Sequence, residues 1–167
     1  PLAPALEVPR HDPGPPPVPC AVPGELGQLR MLRGLSSQDL QLLARLAPPK
    51  IYEDRAVLCH EGDPGASCFL VLSGQVDILR EMRGKRRKLA TLAAGSMVGQ
   101  LALVDRAPRS ATVRACGRVV AMELGHADFQ QQLARASALA LHFQEQIAVS
   151  GVRQLRMANG RCVQLFD

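Results

Sequence analysis

The spacing of apolar residues changes character twice along this chain. Leu40, Leu43 and Leu46 recur at helical spacing, which predicts a helix. Ser36 or Ser37 can cap its start, with Asp39 in the first turn near the positive end of the helix dipole. Pro48-Pro49 stops it. From Lys50 onward the apolar positions alternate or run in short blocks punctuated by turn residues, which is a strand pattern. Strands are expected over 50–53 and 56–60, followed by the turn Glu61-Gly62-Asp63-Pro64-Gly65. The apolar block 68–73 reads as a fully buried strand that turns at Gly74. Residues 75–81 alternate through Val76 and Ile78, and 86–92 should pair with them across Gly84. Residues 109–115 alternate through Ala111 and Val113. Gly117 then predicts a hairpin into 118–124, where Val120, Met122 and Leu124 share one face. Helical periodicity returns over 128–136 and again over 138–157. In the second segment Leu139, Phe143, Ile147 and Leu155 fall broadly on one side, and Gly151 is expected to loosen it.

About eight short strands between helices predict a mainly β fold with flanking helices. The expected architecture is a jelly-roll-like β-roll with one N-terminal helix and two C-terminal helices. Nine of the thirteen prolines lie in residues 1–23. That density excludes regular helix and interior strand, and predicts an extended arm. The expected organisation is a proline-rich arm over 1–24, a domain over 25–158 and a tail over 159–167.

Composition narrows the function classes. The 167 residues suffice for one domain with a proper core, and an apolar content of 47% is ordinary for a globular protein. No apolar run approaches the length of a membrane span, and no secretory leader pattern is visible, so a cytoplasmic protein is expected. The chain begins at Pro1, as expected of a piece of a longer protein. Cys20, Cys59, Cys68, Cys116 and Cys162 are scattered without zinc-type spacing and read as reduced thiols. The four histidines are equally dispersed, so no metal and no cofactor are expected. The net charge is +5, and Arg83, Lys85, Arg86, Arg87 and Lys88 crowd around Gly84. A solvated hairpin tip accounts for them more simply than a nucleic-acid or anionic-lipid contact, and charge alone confers no sequence specificity.

Candidate chemistry concentrates in residues 95–115. Gly95 and Gly99 precede a short apolar turn, Leu101-Ala102-Leu103, and an Arg-Ser-Ala-Thr-Val segment opens at Arg109. Glycine lets backbone approach a ligand, the start of a helix offers unpaired N–H groups, and arginine grips phosphate through parallel hydrogen bonds. An enzyme is not expected. Cys59 and His60 are neighbours on a strand and face opposite sides, and no paired-carboxylate or nucleophile–base pattern stands out.

Two motifs carry a family resemblance. The first is Leu58-Cys59-x-x-Gly62-Asp63-x-Gly65, followed by Phe69-Leu70-Val71 and Gly74. The second is Val98-Gly99-Gln100-Leu101-Ala102-Leu103, then Arg109-Ser110-Ala111-x-Val113-x-Ala115. Together, over roughly residues 28–150, they resemble the cyclic nucleotide-binding domain family of protein kinase A regulatory subunits, cyclic nucleotide-gated channels and catabolite-activator-type regulators. The resemblance implies that Arg109 pairs with a cyclic phosphate. Ser110, Ala111, Gly99 and the N–H groups of Leu101 and Ala102 would complete the cradle, and apolar strand residues such as Leu92 would lie against the base. The family carries glutamate where Gln100 stands, accepting a hydrogen bond from the ribose 2′-hydroxyl. An amide oxygen still accepts, at a cost of about 1–2 kcal/mol in affinity. Cys68 stands where the family has an aliphatic or aromatic residue. The ligand implied is cAMP in preference to cGMP, sensed by movement of the C-terminal helices. The implied partners are that nucleotide, a second copy through the C-terminal helix, or an attached output domain. Two alternatives remain: a degenerate fold serving as an interaction or dimerisation module, and the sensor half of a DNA-binding regulator. Nucleic-acid binding by this chain alone is not expected, because too few residues follow Met157 for a helix-turn-helix.

Overall fold

A computed structural model describes residues 26–163, with side chains to residue 156. The proline-rich arm expected over 1–24 and the end of the expected tail lie outside the described residues. Leu26 and a 3-10 turn, Arg30–Leu32, pack beneath helix α1 (Ser37–Leu46). Ser36 starts α1 with a reciprocal cap. Its hydroxyl accepts from the Asp39 N–H at 3.2 Å, and the Asp39 carboxylate accepts from the Ser36 N–H at 3.1 Å. Leu40 and Leu43 are the buried face.

Six strands follow: β1 (Pro49–Tyr52), β2 (Val57–Cys59), β3 (Ser67–Met82), β4 (Lys85–Ala93), β5 (Met97–Val98) and β6 (Thr112–Gly125). A short helix α2 (Ala102–Asp105) sits between β5 and β6. Helices α3 (His126–Ala134) and α4 (Ala138–Val163) close the described chain. All pairings are antiparallel, in the order β1-β6-β3-β4, with β2 also on β6 and β5 also on β3. The β-roll with flanking helices is as expected.

The sheet separates two cores, which explains why residues 68–71 are apolar at every position. Cys68 and Leu70 face the helices, packing with Leu43, Met122, Phe129 and Phe143. Phe69 and Val71 point into the roll with Tyr52, Val76, Val113 and Val119. Each such large apolar side chain contributes about 1.5–3 kcal/mol on burial.

Two expected chain reversals are absent. Gly74 does not turn the chain and Gly117 does not form a hairpin: β3 and β6 each run through their glycine, and Ser67–Leu79 of β3 pairs with Thr112–Gly125 of β6. The register steps from Ser73↔Val120 to Gln75↔Cys116 across a bulge. Both glycines have positive φ, +81° and +74°, and a side chain at Gly74 would press on the Arg118 carbonyl. Glycine here bends two paired strands together instead of ending them. The seven expected segments therefore fall on five strands, two of them bent, and β5 is a sixth that the pattern did not predict. The Gly84 hairpin does form, with Arg83 and Gly84 both at positive φ, the geometry of a tight two-residue turn. Helix α4 continues through Gly151 and past Met157, where an end was expected.

Candidate phosphate-binding site

The two sequence motifs meet in space. The Gly62 N–H donates to the Arg109 carbonyl, and the Arg109 N–H donates to the Asp63 carbonyl, both at 2.8 Å. Asp63 shapes its own turn by accepting from the His60 N–H at 2.7 Å. Gly65 lies so close to the Ala107 carbonyl and the Ala102 side chain that no Cβ fits there. The first motif thus clamps the backbone that carries Arg109. Residues 109–111 precede β6 as a loop, whereas the sequence placed them at the head of a strand.

The Arg109 side chain turns inward and is only 8% exposed. Its Nη2 donates to Ser67 Oγ at 2.9 Å and its Nη1 to the Gly99 carbonyl at 3.3 Å. The guanidinium carbon stands 5.5 Å from the centre of the Phe69 ring, a cation–π contact. Gly99, at φ +72°, leaves the room: a Cβ there would run into Nη1. Among the described residues, Arg109 Nε is the one buried side-chain nitrogen or oxygen without a hydrogen-bond partner. Buried polar groups are ordinarily satisfied, so this N–H is an unmet hydrogen-bonding demand on a buried cation.

Arg109 lines a cavity of about 290 Å³. All eight residues selected from the sequence line it. Gly99, Gln100, Leu101 and Ala102 form one wall, Arg109, Ser110 and Ala111 a second, and Leu92 lies on the strand side. Ile78 and Val113 add apolar surface beside Leu92. The volume falls just under the range of about 300–1,000 Å³ usual for small-molecule sites. The Ala102 N–H donates to the Gly99 carbonyl at 3.2 Å, which braces the glycine turn.

Gln100 is 7% exposed, and its Nε2 donates to Ser150 Oγ of α4 at 2.6 Å. That bond uses the amide N–H and leaves Oε1 free to accept. Gln154, one turn further along α4, lines the cavity mouth. Leu139, Phe143 and Ile147 do not reach the cavity and belong to the core between helices and sheet.

Three contributors were not singled out from the sequence: Ser67, Glu123 and Gln154. Ser67 Oγ donates to Glu123 Oε1 at 2.8 Å, and Glu123 Oε2 pairs with Lys50 Nζ at 3.3 Å. The one available signal was a lone serine opening an apolar run. Burial, with Glu123 and Cys59 adding to it, pushes the Tyr52 phenol up to about 12. Burial also pushes the Cys68 thiol up to about 12, against the pull of Arg109. Cys59, which lines the cavity, is raised by burial too, with Arg109 opposing. Both thiols are therefore protonated near neutrality and are poor nucleophiles. Among the described residues there is no grouping of His, Cys, Asp and Glu that could hold a metal ion, and no helix long and apolar enough to cross a membrane.

Comparison with known proteins agrees with this geometry. Among curated relatives, the cAMP-dependent protein kinase regulatory subunit of Mucor circinelloides f. lusitanicus is 32% identical over 108 residues, covering 65% of this chain and 25% of that protein. The chain thus spans about a quarter of the length of that relative. Among solved structures, the Thermus thermophilus Catabolite Activator Protein aligns with a TM-score of 0.71 at 26% identity, covering 81% of this chain and 62% of that one. The regulatory domain of Toxoplasma gondii PKA, solved with cAMP, aligns with a TM-score of 0.57 at 29% identity, covering 65% and 42%. The family model for the cyclic nucleotide-binding domain matches residues 49–136, more than half of the chain. The two clamped motifs, the inward arginine and these matches lead to one conclusion: the chain belongs to the cyclic nucleotide-binding domain family.

Proposed function

We propose that this chain is a regulatory sensor that binds cAMP, in preference to cGMP, in the Arg109 cavity and passes the binding event to α4. The observation that carries the proposal is the buried Arg109 guanidinium, whose Nε–H has no partner and which lines a cavity of about 290 Å³. A cyclic phosphate offers one negative charge and two free oxygens, a match for a guanidinium fork. Ser110 and the Gly99–Ala102 turn would surround the phosphate, Gln100 Oε1 would accept from the ribose hydroxyl, and Leu92, Ile78 and Val113 would lie against the base. Gln100 then touches ligand and Ser150 at once, which ties the cavity to α4. The relatives whose descriptions specify cAMP, and the serine that follows the arginine, support the adenine nucleotide.

No catalytic role is assigned, and the chain acts in the cytoplasm as one folded unit from about residue 25. Exposed Leu141, Val152 and Leu155 on α4 suit a second copy of the chain or an attached output segment. A second reading is favoured by Gln100 itself. Its amide replaces the family's carboxylate and is already bonded to Ser150, as a scaffold that no longer senses nucleotide would have it.

Titration calorimetry with cAMP and cGMP separates the two readings. The sensor reading expects saturable binding of cAMP, weaker binding of cGMP, and a loss of about 2–4 kcal/mol with Arg109→Ala, since charged hydrogen bonds contribute about 1.5–3 kcal/mol each. Absence of binding by either nucleotide at millimolar concentration establishes the scaffold reading instead.

A further inference from the structure

We infer that Ser67 and Glu123 are positioning residues for Arg109, joined in a relay that aims the guanidinium at the cavity before any anion arrives. The relay runs from Lys50 Nζ to Glu123 at 3.3 Å, from Ser67 Oγ to Glu123 at 2.8 Å, and from Arg109 Nη2 to Ser67 Oγ at 2.9 Å. Strand register builds it. Phe69 stands opposite Glu123, and Ser67 opposite Gly125 on β6, while Lys50 of β1 stands opposite Ala121. Side chains two residues apart on a strand share a face, so Lys50, Glu123 and Ser67 fall on one diagonal across β1, β6 and β3. Phe69 lies on that same face, and its ring meets the guanidinium.

The intervening hydroxyl matters chemically. A carboxylate bonded directly to Arg109 would occupy its fork and neutralise it, leaving little to offer a ligand phosphate. Here the Glu123 ion pair is with Lys50, and Arg109 meets two neutral acceptors, the Ser67 hydroxyl and the Gly99 carbonyl. A hydroxyl that donates to a carboxylate becomes a better acceptor, because linked hydrogen bonds polarise one another. Arg109 is thus held through one N–H at Ser67 and one at Gly99, which leaves Nε–H and one N–H on each terminal nitrogen for an anion. The part of the relay around Arg109 is buried, with Ser67 at 7% and Arg109 at 8% exposure, whereas Lys50 and Glu123 are about one-third exposed.

The inference deepens the cyclic nucleotide reading, but its test needs no nucleotide. Urea unfolding of the ligand-free chain gives a double-mutant cycle for Arg109→Met and Glu123→Ala, repeated in a Ser67→Ala background. A relay predicts non-additivity of at least fivefold in the folding equilibrium constant with Ser67 present. The coupling should vanish with Ser67→Ala and return with Ser67→Thr, which restores a hydroxyl. Additive effects with Ser67 present, or coupling that survives its loss, overturn the inference. Should Arg109→Met fail to fold, the Arg109 Nε–H resonance in nitrogen-edited NMR takes its place. Ser67→Ala and Glu123→Ala should each broaden that signal and Ser67→Thr should keep it sharp; an unchanged signal in both alanine variants overturns the relay. Calorimetry with cAMP then adds a binding arm, in which Ser67→Ala weakens affinity about tenfold and Ser67→Thr restores it. Failure of the unaltered chain to bind cAMP would remove the nucleotide reading and leave the relay to stand or fall on the unfolding cycle.

Discussion

Substituting Gly99 by alanine separates backbone strain from ligand chemistry at one position. Gly99 has φ +72°, a conformation that costs an L-residue about 1–2 kcal/mol. The new methyl would also collide with Arg109 Nη1 and stand 3.2 Å from its Cζ. The guanidinium is the far end of a flexible side chain, so it is the part that yields. Moving it disturbs the bonds to the Gly99 carbonyl and Ser67 that fix the guanidinium beside the cavity. The folded state should lose about 2 kcal/mol, or about 4–8 °C in Tm for a domain of this size. Binding of cAMP should fall by about 3 kcal/mol, more than a hundredfold, because the phosphate loses an aligned charged donor pair. Gly95→Ala is the internal control. Gly95 has φ +82°, but a Cβ added there would meet nothing within 4 Å, so this change should cost strain alone and leave affinity within about threefold. Thermal melts and calorimetry on both variants read the two effects. A Gly99→Ala chain that binds cAMP as well as Gly95→Ala does would refute the claim that Gly99 makes room for the anion-gripping arginine.

Three further outcomes follow from the same contacts. Gln100→Glu should tighten cAMP about tenfold, since a carboxylate accepts the ribose hydroxyl bond more strongly and the Ser150 hydroxyl can rotate to donate to it; unchanged or weaker binding by calorimetry counts against a ribose contact here. Asp77 is held below the usual carboxylate range by the Thr91 hydroxyl and then by Lys88 and Arg114, against the opposing effect of its own burial. A lowered folded-state pKa contributes stability above the ordinary value near about 4 and loses it as pH falls below that. The unaltered chain should therefore lose urea resistance more steeply than Asp77→Asn on acidification through that range, and parallel curves would contradict the assignment. Cys68, fully buried with its thiol near 12, should resist labelling at about pH 8 while exposed Cys116 reacts, which peptide mapping after alkylation can read. Equal labelling of the two in the native chain would contradict that burial.

Local chemistry was the legible part of this chain. Ser36 and Asp39 three residues apart announced the start of α1, and the glycine and arginine spacing marked the cavity wall. Those signals act within a few residues, so a pattern along the chain exposes them. Gly74 and Gly117 misled because a glycine that ends a strand and one that bends it look alike without the partner strand. Ser67 was invisible for the same reason at longer range, since its partner Glu123 lies 56 residues away and only strand register joins them. Leu139, Phe143 and Ile147 share one helix face in the sequence, but that spacing does not say what the face covers, and it packs on the sheet as core. Gln154 lacked any signal because a polar residue inside an expected helix does not show which cavity that helix passes.

Amide hydrogen exchange with and without millimolar cAMP both detects the ligand and locates it on the chain. Slowed exchange is expected at residues 99–103 and 109–111, with a second protected stretch in α4 around Ser150 and Gln154. Exchange unchanged in the Arg109 loop, with or without protection elsewhere, would contradict binding in the Arg109 cavity.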